Sequence, residues 1–311
     1  MKDLESGTLR NVSDHFSEDP LRVLRTARFY SVLGSRRAVN IAPNLRRAMT
    51  MVVQSGALEL LPKERILQEI AGCLDTETPS MSIRLLHECG ALQKILPEVS
   101  ALDGVPQPPE WHPEGDAFAH TLLVLDNVAA MKTGTAVRFA AMVHDLGKAL
   151  TPKELLPRHP GHEEAGLPLV SGLCDRLGVP ASWKRLAMTV TKNHLKVHRI
   201  ADLKPSSTYN LLSAIGGMRK DSEAFFEAVL SVCMADDYGK NRKGEYSPGV
   251  AARALSKAAL MITGETLAEE FLKAGKRIPE GSEFGSRLRE ARISSIRNEK
   301  RRSESLEKLS R

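Results

Sequence analysis

The densest chemistry in the chain lies in the segment Val143-His-Asp-Leu-Gly-Lys148. An adjacent His144-Asp145 pair supplies a ring nitrogen and a carboxylate oxygen to one metal ion when it sits at the end of a helical turn. Gly147 ends that turn, and Lys148 is placed to meet a phosphate oxygen. A further ligand is expected from His120, which begins an apolar helical stretch (Leu122, Leu123, Leu125, Val128), and another from Asp236 or Asp237 at the end of a later one. Mixed His/Asp ligation suits a borderline divalent ion such as Mn, Fe, Ni, Co or Zn better than an oxygen-only Mg or Ca cage. His162 and His194 are candidates to hold a second ion or touch the substrate. A lone His-Asp dipeptide is commonly a surface pair. The ordered set His120, His144-Asp145, His162, His194, Asp236 on successive helices is far more informative.

Helices must position these groups, and the sequence reads as all-α. Aromatic residues make up only 5% of the chain, and strand-like alternation is confined to short pieces such as Met51–Val53. Helical spacing is common instead. Leu21, Leu24, Ala27 and Tyr30 repeat after Pro20, which suits a first helical turn. Further helices are expected over Lys63–Cys73, Met81–Cys89, His120–Met131, Ala136–Asp145, Gly166–Leu177, Ser182–His194, Ser207–Ile215, Asp221–Asp236 and Val250–Ile262. Breaks are expected at Gly34, Gly90–Pro97, Gly147, Pro152–Pro160, Gly178–Pro180, Gly216–Gly217 and Gly239–Pro248. Asp103–Pro113 holds four prolines in eleven residues and reads as a domain boundary. A helical stretch over Arg287–Arg297 is followed by a polar run, Asn298–Ser305, expected to fray.

The composition bounds the remaining possibilities. With 311 residues there is room for two or three packed units, and 42% hydrophobic with 26% charged residues excludes wholesale disorder. No run approaches the ~18 apolar residues of a membrane span, and the first ten residues lack a signal-peptide core. Cys73, Cys89, Cys174 and Cys233 are far apart, as expected of reduced thiols in a cytoplasmic protein. The net charge of +6 is unevenly spread. Arg22, Arg25, Arg28, Arg36, Arg37, Arg46 and Arg47 fall within 26 residues that contain no Asp or Glu. Such a run predicts a surface that tracks nucleic-acid phosphates. From Lys276 to Arg311 eleven Lys/Arg face six Asp/Glu, a second basic surplus.

The order His120, His144-Asp145, Asp236, with Asp-Leu-Gly-Lys closing the His-Asp segment, resembles the HD superfamily of metal-dependent phosphohydrolases. The resemblance implies a helical bundle and a divalent metal (Ni, Co, Mn or Mg) that activates water against phosphate esters. It also implies His120, His144, Asp145 and Asp236 as core ligands, with His162 and His194 matching the extra histidines of two-metal members. His144, Asp145 and Lys148 are then the catalytic set.

At the other end, Ser17-Glu-Asp-Pro-Leu-Arg-Val-Leu-Arg-Thr-Ala-Arg-Phe29 resembles the Glu-Asp-x-x-Arg motif of bacterial class II CCA-adding enzymes, the tRNA nucleotidyltransferases. That resemblance implies that Asp19 and Arg22 template the base edge of incoming CTP or ATP; a carboxylate accepts from an exocyclic amine and a guanidinium donates to the ring. Their spacing of three predicts one shared helix face. It implies tRNA as partner, with Arg25, Arg28, Arg36, Arg37, Arg46 and Arg47 on the RNA-binding surface. Pro62–Glu69 and Leu85–Glu98 resemble the following neck helix and the tRNA-binding body. Gly104–Glu114 and Pro157–His162 resemble the subgroup that carries a C-terminal HD domain. The implied organisation is a neck over 1–60, a tRNA-binding body over 61–110, an HD domain over 111–245 and a basic helical tail over 246–311.

The family's catalytic head carries a Gly-Gly loop and an Asp-x-Asp pair holding two Mg ions. Here only 17 residues precede Glu18, and no Asp-x-Asp occurs in the chain. Gly216-Gly-Met-Arg-Lys-Asp221 sits far downstream between helices and is not that loop. The sequence therefore predicts a headless CCA-adding enzyme, for which Mg-dependent nucleotidyl transfer requires a separately supplied head. The HD part is expected to hydrolyse 2′,3′-cyclic or 2′-phosphate nucleotides. A free-standing HD phosphohydrolase and a non-catalytic RNA-binding module are the alternatives.

Overall fold

A computed structural model describes residues 6–11, 14–239 and 245–309; part of the expected break at Gly239–Pro248 lies outside them. The chain divides into two compact units, Met1–Lys192 with Met234–Lys243, and Asn193–Cys233 with Gly244–Arg311. Both are helical, as the sequence predicts. A two-residue parallel pairing, β1 (Thr8–Leu9) with β2 (Asn40–Ile41), is the regular sheet among the described residues.

In the first unit, α1 (Leu21–Gly34) turns Leu21, Leu24 and Ala27 into the core. Ser31 on the same helix is fully buried and hydrogen-bonds the Thr76 hydroxyl and the Thr78 carbonyl, each at 2.7 Å. The Met51–Val53 alternation does not make a strand. It lies in α2 (Pro43–Gln54), whose buried Leu45, Met49, Val52 and Val53 follow the helical period while Met51 points outward. Pro43 at the helix start fixes the first turn, and the i, i+4, i+7, i+8 apolar face outweighs a three-residue alternation. Then come α3 (Lys63–Leu74), α4 (Pro79–Glu88), α5 (Ala91–Ile95) and α6 (Pro97–Ser100). The carbonyls left open after α3 are closed by the buried Arg138, whose guanidinium donates to Leu74 and Thr76, both at 2.7 Å, and to Thr133 at 2.9 Å.

The proline-rich stretch at 103–113 leads into α7 (Ala117–Ala130). It folds back on itself: Gln107 N donates to the Gly115 carbonyl at 3.0 Å, and Gly104 N donates to Asp116 at 2.7 Å. The other oxygen of Asp116 accepts from Ala119 N at 2.9 Å. This N-cap starts α7 three residues before His120, earlier than its apolar pattern indicates. Next, α8 (Thr135–Val143) stops just before His144, and the chain tightens into a 3-10 turn over Leu146–Leu150. After the loop, α9 (His162–Leu177) begins at His162, one turn earlier than expected. α10 (Ala181–His198) runs four residues past the expected His194. Two of the three unit boundaries fall within helices, α10 and α12 (Glu223–Gly239), and the third, between Lys243 and Gly244, lies outside the described residues.

The second unit contains α11 (Pro205–Ala214), α13 (Ser247–Leu260), α14 (Gly264–Lys273) and the long α15 (Gly281–Leu309). The polar run Asn298–Ser305 does not fray; it is an uninterrupted part of α15. Two anchors account for this. Ile296 is fully buried, and Lys300 Nζ donates to the carbonyls of Ile200, Ala201 and Leu203 at 2.8, 2.8 and 2.7 Å. All four cysteines are free thiols and buried. Burial pushes the Cys73 thiol up to about 12. Among the described residues, no helix is long and apolar enough to cross a membrane.

Candidate metal centre

His144 follows the last residue of α8, and its Nδ1 lies 2.8 Å from the Ala141 carbonyl, one turn back. His162, the first residue of α9, makes the same contact with the His159 carbonyl at 2.7 Å. A carbonyl oxygen only accepts, so both rings carry hydrogen on Nδ1 and turn Nε2 the other way. Each Nε2 then meets Asp145: His144 Nε2 is 3.2 Å from Oδ2, and His162 Nε2 is 3.2 Å from Oδ1. His120 Nε2 similarly lies 2.9 Å from Asp236 Oδ1.

A ring nitrogen lone pair and a carboxylate oxygen repel at that distance unless a cation lies between them, either a proton or a metal ion. Burial opposes charge on His144, but Asp145 beside it and Asp236 outweigh burial and raise its pKa. The same balance, with Asp145 dominant over burial, raises His162. Burial alone would raise Asp145; His144, Lys148 and His162 instead hold its carboxyl well below the ordinary range.

One ligand atom each from His120, His144 and Asp236 falls within 4.8 Å of the others, and all three residues are buried. Buried nitrogen and carboxylate donors aimed at one another, with the far ring nitrogens of His144 and His162 fixed by the backbone, fit a divalent ion of the borderline class. The choice between Asp236 and Asp237 also resolves: Asp236 is buried among these groups and Asp237 is only half-buried. His194 is buried in the second unit. Lys148 is buried as well, its Nζ 2.6 Å from Asp145 Oδ2 and 2.6 Å from Gln107 Oε1. An ammonium has three donors, and two are used here.

Sequence reasoning missed Glu114, His112, Gln107 and His159. Glu114 Oε1 is 2.7 Å from His120 Nδ1 and 3.0 Å from His112 Nδ1. His159 bridges the Pro106 carbonyl at 3.0 Å and the Thr151 hydroxyl at 2.8 Å. The composition of 104–116 signals a linker, and only the fold shows that this stretch lines the centre.

The neck residues are arranged differently from the sequence expectation. Asp19 lies in the turn before α1 rather than on a helix face shared with Arg22; its Oδ1 accepts from Leu21 N at 3.1 Å and its Oδ2 from Arg65 at 3.4 Å. The Arg22 guanidinium donates to the His15 carbonyl. Arg22 and Arg25 line a cavity of ≈ 500 Å³ with Arg10, Asn11 and Phe29. The arginine run contains no acids, yet later helices supply them. Glu69, nearly buried on α3, pairs with Arg25 at 3.0 Å and Arg28 at 3.3 Å. Glu88 pairs with exposed Arg46 at 3.0 Å. Arg36, Arg37 and Arg47 are exposed.

A helical unit built around a His-Asp metal centre is the signature of an HD domain, and residues 117–242 match the HD domain family. Such a domain implies a divalent metal. Residues 39–102 match the family described as "Probable RNA and SrmB- binding site of polymerase A". The two matched regions flank the proline-rich stretch. The chain is 40% identical to the multifunctional CCA protein of Nitrosospira multiformis over 301 residues, covering 95% of this chain and 71% of that one. It is also 40% identical to the multifunctional CCA protein of Methylococcus capsulatus over 298 residues, 95% of this chain and 68% of that one. The chain belongs to the multifunctional CCA protein family. In fold it is similar to a CCA-adding enzyme solved with ATP, with a TM-score of 0.57 and 17% identity over 100% of this chain and 64% of that one. The Thermotoga maritima CCA-adding enzyme complexed with tRNA has a TM-score of 0.55 at 16% identity, over 95% of this chain and 61% of that one.

Proposed function

We propose that this chain is the neck, tRNA-binding body and HD portion of a CCA-adding tRNA nucleotidyltransferase, acting in tRNA 3′-end addition or repair in the cytoplasm. We further propose that its HD centre is a metal-dependent phosphohydrolase for 2′,3′-cyclic and 2′-phosphate nucleotides, with simple phosphomonoesters as weaker substrates. The observation that carries the hydrolase reading is the buried convergence of His120, His144 and Asp236, with His144 turned inward by a backbone carbonyl.

His120, His144, Asp145 and Asp236 would hold the metal, and His162 and His194 are assigned to a second ion or to the leaving group. A divalent ion there supplies Lewis-acid stabilisation of the phosphoryl oxygens and lowers the pKa of bound water. The chain's own residues do the rest. The Ala141 and His159 carbonyls orient His144 and His162 through Nδ1, and Lys148 offsets charge next to Asp145, with one donor left for a phosphate oxygen. The test is hydrolysis of 2′,3′-cyclic AMP and a chromogenic phosphomonoester by the purified chain with added Ni, Co, Mn or Mg. Inactivity with every ion, together with no metal by elemental analysis, would leave only an RNA-binding body.

Nucleotidyl transfer needs carboxylates that align a triphosphate on Mg, and the 311 residues contain no Asp-x-Asp pair. The chain by itself is expected not to incorporate labelled CTP or ATP into tRNA lacking its 3′ end; measurable incorporation contradicts this reading. CTP and ATP recognition is assigned to Asp19 and Arg22 only when a head is present.

tRNA is the proposed partner of the arginine-rich neck. Arg25 and Arg28 pair with the buried Glu69, whereas Arg36, Arg37 and Arg47 are exposed and Arg46 pairs only with the exposed Glu88, so these four carry the expectation. Changing these four to Gln should weaken tRNA binding. The dependence of log K on log salt should flatten by about 0.9 for each duplex phosphate that is no longer neutralised. Filter-binding across a salt series measures it, and an unchanged slope reduces the run to a solvated face. Asp19→Ala should leave tRNA affinity within twofold.

A further inference from the structure

His120 differs from the other two histidines of the centre. The acceptor-only partners of His144 and His162 are backbone carbonyls from the preceding turn, fixed by the chain itself. The partner of His120 Nδ1 is a side chain, Glu114 Oε1, at 2.7 Å, and it comes from the proline-rich loop rather than from a helix of the centre. On its other edge the same ring faces Asp236 at 2.9 Å. A fully buried imidazole thus stands between two carboxylates.

Only one of these carboxylates belongs to the proposed ligand set. A carboxylate oxygen accepts and cannot donate, so the close approach of Glu114 calls for hydrogen on Nδ1, and a metal taking the place of the proton between Nε2 and Asp236 would meet the Nε2 lone pair. We propose that Glu114 is the positioning residue of the metal centre: it fixes the tautomer and ring orientation of His120, so that metal affinity depends on the 104–116 loop. This deepens, and rests on, the metal-centre reading above.

Three further observations support it. Glu114 is itself held, because His112 Nδ1 is 3.0 Å from the same oxygen, and the His112 and His120 rings meet edge to face at 4.6 Å. Glu114 meets both rings through the one oxygen, Oε1, and its side chain is only 8% exposed. The loop is also tied to the opposite side of the centre, where Gln107 Oε1 accepts from Lys148, the partner of Asp145. One loop therefore braces both His120 and Asp145.

The experiment is calorimetric titration of the chelator-stripped full chain with Ni(II), for wild type, Glu114→Ala, Glu114→Gln and His112→Ala. It is combined with 15N spectra of histidine-labelled, metal-free protein. Loss of an outer-shell partner of this kind weakens metal binding about 10–100-fold. Glu114→Ala is expected in that range, Glu114→Gln to fall between it and wild type because an acceptor oxygen remains, and His112→Ala to lose less than Glu114→Ala. His120 Nδ1 should carry hydrogen in wild type and lose it preferentially in Glu114→Ala, whatever the state of Nε2 beside Asp236, a change that a merely structural role does not produce. If Glu114→Ala does not fold, Glu114→Gln carries the same comparison. Equal affinity in wild type and both Glu114 variants, with an unchanged His120 tautomer, overturns the proposal. Wild type that binds no Ni(II) defeats the metal reading instead, and the tautomer of His120 in the metal-free protein then decides the orientation claim alone.

Discussion

Gly147→Ala is expected to destabilise the first unit by about 3 kcal/mol or more and to disable the metal centre with it. A Cβ at this position would lie 2.0 Å from the His162 carbonyl oxygen and 2.7 Å from Gly166 N. Both obstacles are backbone atoms of α9, so no side-chain rotation relieves the overlap. Gly166 reciprocates, since its own Cβ would approach Gly147 N at 3.1 Å. The 3-10 turn after His144-Asp145 and the first turns of α9 can only be this close because both residues are glycine. That approach brings His162 Nε2 to Asp145 Oδ1. Separating the two backbones by even one ångström pulls His162 away from Asp145. The variant should melt roughly 10 °C lower and should lose Ni(II) binding even at temperatures where it is folded. Gly172→Ala on α9, where an added Cβ meets nothing within 4 Å, is the control and should be stable. A Gly147→Ala protein that melts and binds metal like wild type would show that the contact relaxes at no cost.

The sequence reading made Gly147 the end of the helical turn, whereas α8 stops at Val143 and Gly147 lies inside the 3-10 turn Leu146–Leu150. Local pattern shows that a regular helix does not continue through Gly147; it cannot show that another helix arrives at van der Waals distance. The same limit explains most of the differences. That His120, His144 and Asp236 come together was legible because each sits in or beside a helix that periodicity locates. Glu114 was not legible. It lies in a stretch whose prolines are equally typical of a linker, and its role exists only because the loop folds back across Asp116. The arginine run shows the converse limit. Over 26 residues it has no acids, yet Glu69 lies 44 positions from Arg25 in sequence and 3.0 Å from it in space. Charge patterning along a chain reports local neighbours, whereas ion pairing across helices is decided by packing. Lys300 makes the same point for stability: a polar tail segment looks free to fray until its ammonium is seen to take three carbonyls from residues about 100 positions earlier.

Asp145→Asn is expected to abolish phosphohydrolase turnover and to reduce metal content to background, while the helical circular-dichroism signal survives. Asn keeps the size of the side chain and one acceptor oxygen, so the ring of His144 or of His162 can still be satisfied, but the negative charge that draws cations together at the centre is gone. Asp145→Ala removes more. Lys148 is 6% exposed, and without Asp145 its ammonium would keep only the neutral Gln107 as a short side-chain partner. Leaving one member of a buried ion pair uncompensated typically costs about 3–5 kcal/mol. Loss of activity in Asp145→Ala alone would therefore not separate a missing ligand from a loosened fold. The two variants together do. If the metal reading is right, both lose turnover and metal, but Asp145→Ala unfolds at clearly lower urea than Asp145→Asn. Adding Lys148→Met to Asp145→Ala should recover part of the stability, since the stranded charge is removed, and should recover no activity. Retained turnover in Asp145→Asn, with metal still bound, would remove Asp145 from the ligand set and leave it as the counter-ion that holds His144, His162 and Lys148 in place.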